Sequence, residues 1–329
     1  MLLVIWLHAE NLHLVPLGKA SGALYGAVAW IEELMSDKLG QIAVPGFFFI
    51  SGYLFVRSFE GRRIGLTQIR DKWMNRLRSL VLPYVIWNLI YYAIYLAFGR
   101  AELSLAALAH AVISYGYNPV FWYMQQLIIL SVIGPFFYAV LCEKGHKQAM
   151  FILFLIFIIA ANHASLSFHL VNEDALFYFC CGMTAVTFFR DIFEGQGQEI
   201  HRMLLLVTGA CYVLMAFLSG RPDLLSSVPL LTGAMVLCRI SGALAVWFLL
   251  CVLRAGEVPP RPWMHISFFV YATHYLVIRA MGFLLPGDVS LLLAAFLLMP
   301  AICTGAAYAG HSFLDRYVPK LYRILSGGR

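Results

Sequence analysis

Apolar residues fill long uninterrupted runs of this chain, and polar residues are confined to the gaps between them. The runs fall near 40–57, 79–98, 119–141, 149–163, 174–189, 203–219, 230–253, 264–285 and 290–313. As helices they reach across a hydrocarbon layer of roughly 30 Å. The pattern predicts an all-α, polytopic transmembrane helix bundle. One further apolar segment, Met1 to Ala9, meets Glu10 and Asn11 too soon to span. Met1-Leu2-Leu3-Val4 offers neither a basic n-region nor a cleavage site, so it is not read as a signal peptide. It reads as the end of a first helix whose start lies upstream, giving about ten helices with the first truncated. A short re-entrant or interfacial helix is the alternative.

Composition agrees with this pattern: the 329 residues are 61% hydrophobic and 12% charged, about half the charge of an ordinary soluble domain. Charge also supplies orientation. The segment Gln41 to Phe55 carries none, whereas Arg57, Arg62, Arg63, Arg70, Lys72, Arg76 and Arg78 follow it. With that basic segment, 57–78, placed in the cytoplasm, 17 of the 23 Lys and Arg fall on the inner side. Four lie in the outer segments and two within the membrane. This bias puts both termini in the cytoplasm, including the tail 314–329. The net charge of +6 then reflects contact with membrane lipid and not with nucleic acid. The seven cysteines lie in or at the ends of apolar runs without a C-x-x-C pattern, which points to free thiols and to no bound metal. No loop is long enough to fold alone, so the chain reads as one membrane domain over 1–329. No strong internal repeat of the kind that builds many transporters is visible.

An ionisable side chain inside hydrocarbon costs roughly 2.5–3.5 kcal/mol and needs a partner, a wet cavity or a function. Four stand out: His8, Arg239, His274 and Arg279. A neutral imidazole in a partly dry site can take a proton from a hydroxyl as it attacks an acyl carbon, which makes His8 the candidate catalytic base, the alternative being a structural histidine hydrogen-bonded to a neighbouring helix. Glu10 points to another side of the helix and is a poor partner for it. Ser267, Tyr271 and His274 form a polar stripe at helical spacing that faces the bundle interior, either to bind substrate or to hold helices together. The run Arg70, Lys72, Arg76 and Arg78 could receive donor phosphates or act only as a topology signal. Ser51-Gly52 is a small pair that a helix or a substrate arm could approach closely. Aromatic residues near span ends, among them Trp122, Tyr123, Trp263, Tyr91 and Tyr92, read mostly as interfacial belts.

Taken in order, several segments are informative together. They are Leu7-His8-Ala9; Phe48-Phe49-Ile50-Ser51-Gly52-Tyr53-Leu54; Arg76-Leu77-Arg78 leading to Pro83-Tyr84; Phe121-Trp122-Tyr123-Met124 leading to Gly134-Pro135; and Ser267, Tyr271 and His274. Across nearly the whole chain they resemble the acyltransferase-3 family of integral membrane O-acyltransferases, in particular its branch that acts on surface polysaccharide sugars. The resemblance implies an acyltransferase, one transferring groups other than aminoacyl groups, in a bacterial inner membrane. It implies acetyl-CoA or another acyl-CoA as donor from the cytoplasm, with no bound cofactor, and a glycan or lipid-linked sugar as acceptor. His8 matches the family's required histidine, while the arginine ten residues before it would precede Met1. The family's R-x-x-R motif meets Ser79 at its second arginine, leaving Arg70, Lys72 or Arg78 to substitute. A transporter or flippase of a lipid-linked sugar is the rival reading. A membrane acyltransferase of another superfamily, using His163, is disfavoured by the Phe-Phe-x-x-Ser-Gly-Tyr-Leu block.

Overall fold

A computed structural model describes all residues except 17–20, 60–64, 163–169, 196, 260, 262–263, 286 and 329, together with the side chain of residue 66. The described residues are helical and form no strand. In chain order the helices are α1 (Leu2–His8), α2 (Ala23–Glu32), α3 (Ala43–Arg57), α4 (Leu66–Arg76) and α5 (Leu82–Ala97). Then come α6 (Leu105–Ile113), α7 (Trp122–Leu141), α8 (His146–Ala161), α9 (Glu173–Phe188) and α10 (Arg190–Glu194). The last five are α11 (Gln198–Ser219), α12 (Val228–Val252), α13 (Ser267–Leu284), α14 (Val289–Tyr317) and α15 (Pro319–Leu325). Several begin where the sequence supplies a cap: the side chains of Ser104, Asn172, Ser227 and Asp288 accept first-turn N–H groups of α6, α9, α12 and α14.

Among the described residues, seven helices are long and apolar enough to cross a membrane. The protein is thus a multi-pass membrane protein. The other three predicted segments are also helices, but shorter: α1 has 7 residues, and α8 and α9 have 16 each. Two expectations are corrected. The basic segment 57–78 is not a loop over most of its length, because a helix runs unbroken from Thr67 to Ala97. Likewise helix continues from Ala23 to Arg57, starting well before the run predicted at 40–57. Polar residues that end a membrane span do not end a helix, since backbone hydrogen bonding continues into water. Just before Pro83 the ladder widens to a π turn, Leu77–Val81. The proline lacks an N–H and its ring crowds the carbonyl four residues earlier, which this wider turn accommodates.

The chain forms two compact units. The first comprises Met1–Gln41, Met74–Gln125 and Pro260–Arg329. Here α1 is tied down by polar bonds as well as packing: Trp6 Nε1 donates to the Phe296 carbonyl at 3.1 Å, and Ser36 Oγ donates to the Trp6 carbonyl at 2.8 Å. Asn11 Nδ2 donates to the Leu292 carbonyl at 2.9 Å. Tyr91 is corrected from belt to interior: it is 0% exposed, and its hydroxyl donates to the Ala272 carbonyl at 3.0 Å. Tyr92 is also buried, bonded to the Glu102 carbonyl. Trp263 lies outside the described residues.

The second unit comprises Ile42–Trp73 and Gln126–Pro259. At its centre α3 and α9 touch backbone to backbone. A methyl group on Gly52 would lie 1.9 Å from the Phe179 carbonyl oxygen, and one on Gly182 would lie 1.9 Å from the Phe49 carbonyl oxygen. Helices in lipid gain attraction from such close approach, which only small residues permit. Arg239, a candidate from the sequence, is an ion-pair partner: its Nη1 lies 3.2 Å from Asp174 Oδ2. All seven cysteines are free thiols.

At α10 the Glu194 carboxylate accepts hydrogen bonds from Tyr53 Oη, Arg57 and Arg190 Nε. Burial works to raise this carboxyl, but the three donors outweigh it and hold the group below the usual carboxylate range. Protons therefore bind the unfolded chain more readily, and the contribution to stability, present above the ordinary carboxylate pKa, is lost as pH falls through the folded value. Glu194→Gln should lower the melting temperature at neutral pH and converge on wild type in acid. A gap independent of pH would rule out the electrostatic origin.

Candidate functional site

Within the first unit several of the sequence motifs converge, whereas the Phe-Phe-x-x-Ser-Gly-Tyr-Leu block belongs to the second. His8, at the end of α1, lies beside His274 of α13, with ring centroids 5.6 Å apart. Its ring also meets Tyr275 edge-on, at 6.4 Å. His8 is half-buried and makes no hydrogen bond among the described residues, whereas His274 is 0% exposed. His274 Nδ1 lies 2.6 Å from the Tyr271 carbonyl. A carbonyl only accepts, so Nδ1 carries the proton and Nε2 carries the lone pair. That buried Nε2 has no hydrogen-bond partner among the described residues. One imidazole is thereby locked in a single tautomer beside another that is held only by packing.

An aromatic wall surrounds this pair. Tyr271 stacks on Phe121 at 5.4 Å and 5°, and its hydroxyl donates to the Val120 carbonyl at 2.7 Å. Phe121 also stacks on Tyr84, at 6.0 Å and 25°. The Pro83-Tyr84 motif, the Phe-Trp-Tyr-Met motif, Tyr271 and His274 thus share one cluster, whereas Ser267, at the first turn of α13, is exposed and does not continue the predicted inward-facing stripe, which begins only where the helix is covered by its neighbours. Tyr271 serves as a wall that orients α13, through the ring stack and a satisfied hydroxyl. Trp122 starts α7 and is half-buried.

The remaining predicted residues have other surroundings. Gly52 is the helix-contact residue described above, so of the two close approaches open to Ser51-Gly52, the one present at Gly52 is a helix. Ser51, next to it in α3, is partly exposed. Lys72 Nζ donates to the Phe55 carbonyl at 2.9 Å and to Ser58 Oγ, and sits 3.7 Å from the Phe55 ring centroid. It caps the C-terminal end of α3, where a cation complements the helix dipole. Arg70 is exposed and lies 3.5 Å from Asp71. Arg76 ends α4, and Arg78 is exposed on the widened turn. His163 lies outside the described residues.

A cavity of about 430 Å³ in the first unit is lined by α5, α13 and the residues that follow α5, Tyr275 among them. It escaped sequence reading because its lining comes from segments far apart in the chain. A second cavity, of about 630 Å³, lies in the second unit and touches none of the predicted site residues.

The model of the acyltransferase-3 family, described as an acyltransferase domain, matches residues 1–311. This chain belongs to the acyltransferase-3 family. It is accordingly a membrane acyltransferase, and the transporter reading is set aside. The succinoglycan biosynthesis protein ExoH of Rhizobium meliloti (strain 1021) is 24% identical over 330 residues, covering 93% of this chain and 84% of that protein. No solved structure matches. The matched residues draw on both compact units, and every motif named above lies within them.

Proposed function

We propose that this acyltransferase transfers an acyl group, acetyl in the simplest case, from acyl-CoA to a sugar hydroxyl of a surface polysaccharide or its lipid-linked precursor. The observation that carries this reading is the half-buried His8 beside a tautomer-locked His274, in the unit that also holds the Pro83-Tyr84 and Phe121–Met124 segments. The relative's role in succinoglycan biosynthesis supports a saccharide acceptor. His8 takes the proton of the sugar hydroxyl as its oxygen attacks the thioester carbonyl. The C–O ester bond forms, the C–S bond breaks, and the proton passes to the departing CoA thiolate. His274 keeps the neighbouring imidazole in register. The chain sits in a bacterial plasma membrane with both ends in the cytoplasm, the charge bias being the support for that orientation. It works as one catalytic domain without a bound cofactor.

Arg76 and Arg78, with Arg70, receive the donor's phosphates on the cytoplasmic side. Lys72, already engaged at the end of α3, contributes less. Transfer from labelled acetyl-CoA to cell-envelope glycans tests the reading; no transfer by the correctly inserted protein sinks it. Arg76→Gln with Arg78→Gln should raise the donor KM about tenfold, a loss of roughly 1.4 kcal/mol, and leave the acceptor KM near wild type. An unchanged donor KM would reduce the run to a topology signal.

A further inference from the structure

Tyr275, whose ring meets that of His8, also lines a mainly apolar cavity in which two arginines share the space. Tyr95, Phe98 and Phe283 supply accessible aromatic surface above the buried Tyr91, Tyr275 meets His8 edge-on, and Arg100 and Arg279 bring two cations to the same space. Tyr275 and Arg279 are one turn apart on α13, so they share a face. From Arg78 to the end of α5 the helix rises roughly 30 Å at about 1.5 Å per residue, the thickness of the hydrocarbon. The cavity therefore opens at the opposite side of the membrane from Arg76 and Arg78. Arginine is disfavoured there, and only four Lys and Arg occur in all the segments assigned to that side. Yet Arg100 is one of them, and it joins Arg279 at one cavity.

We infer that this cavity is the acceptor site, and that it takes a saccharide carrying an anionic group. The inference rests on the acyltransferase reading above and deepens it. Arg100 and Arg279 hold the phosphoryl or carboxylate oxygens, for which planar guanidinium groups are well matched. The aromatic surfaces receive the apolar faces of sugar rings, and the reacting hydroxyl passes the Tyr275 ring at the inner end of the cavity to reach hydrogen-bond distance of His8. A volume of about 430 Å³ suits a small-molecule-sized portion of a longer glycan. The anion has two possible sources, a prenyl diphosphate carrying the glycan or an acidic sugar within it, and both present the same chemistry to the arginines.

Calorimetric titration of the full chain in nanodiscs separates these sources. The probes are a prenyl diphosphate oligosaccharide, an oligosaccharide containing a uronic acid, the matching neutral oligosaccharide and a sugar-free prenyl diphosphate. Arg100→Gln and Arg279→Gln should each weaken binding of an anionic saccharide about tenfold, while the neutral compound binds weakly to wild type and variants alike. Whichever anionic saccharide responds names the source. The proposal is overturned if wild type binds neither anionic saccharide, or if the double variant binds them as wild type does. It is also overturned if the sugar-free lipid binds as tightly as the glycosylated one, which would mark a headgroup contact. Binding is read without turnover, so loss of acyl transfer with binding intact would fault the catalytic reading and leave this site standing.

Discussion

His8→Ala is expected to lower kcat for acyl transfer by about 10²–10⁴-fold, the usual contribution of a positioned general base, while the protein still inserts and folds. The structural half of this forecast follows from the surroundings of the ring. His8 is half-buried and free of hydrogen bonds among the described residues, so its removal takes little from the fold. His274 differs: its ring is 0% exposed and bonded to the Tyr271 carbonyl, so alanine there leaves a cavity and breaks a buried hydrogen bond. His274→Ala should therefore reduce the melting temperature and activity together. His8→Gln is the sharper probe, because the amide approximates the size of the imidazole and hydrogen-bonds but takes no proton. Purified variants compared by turnover and by thermal unfolding in detergent decide the matter. A glutamine variant as active as wild type would exclude His8 as the base.

Gly52→Ala and Gly182→Ala are expected to be among the most destabilising single substitutions in the chain, costing about 3 kcal/mol or more, at or beyond the upper end of overpacking effects. Each new methyl would stand 1.9 Å from a carbonyl oxygen of the partner helix. A backbone carbonyl cannot swing aside as a side chain can, so α3 and α9 must separate along their contact. Once they have separated, the second methyl meets less resistance, and the double variant should be less destabilised than the two singles added together. Gly46→Ala is the internal control. Its methyl would meet Ala243 Cβ at 3.6 Å, an ordinary contact. Thermal unfolding that ranks Gly46→Ala alongside the other two would refute the close-packed seam.

The seam also explains what the Phe-Phe-x-x-Ser-Gly-Tyr-Leu block does in this chain. Phe48, Phe49, Gly52 and Tyr53 are buried on α3, and Gly52 meets the backbone of α9. Tyr53 carries its hydroxyl to Glu194. These are structural tasks, set apart from the histidine pair, which belongs to the other compact unit. A motif that marks a family need not mark its chemistry.

Much of this was legible in the chain itself. The apolar runs located the helices, because crossing hydrocarbon requires length and low charge, both properties of a segment taken alone. The arginine bias is the support for the proposed orientation, and the scarcity of intramembrane ionisable groups singled out His8 and His274, which the structure brings together. Only the tertiary structure decided which side of each helix faces which neighbour. A helix that is apolar all round carries no stripe to identify its core face, so nothing local announced that Tyr91 turns inward, that Asp174 answers Arg239, or that Gly182 is the counterpart of Gly52. Nor could spacing along the chain reveal that Arg100, just after α5, and Arg279 of α13 line one cavity with the Tyr275 that meets His8. Segment-by-segment hydropathy determines what enters the membrane, whereas pairwise packing, which depends on residues nearly two hundred positions apart, determines what meets there.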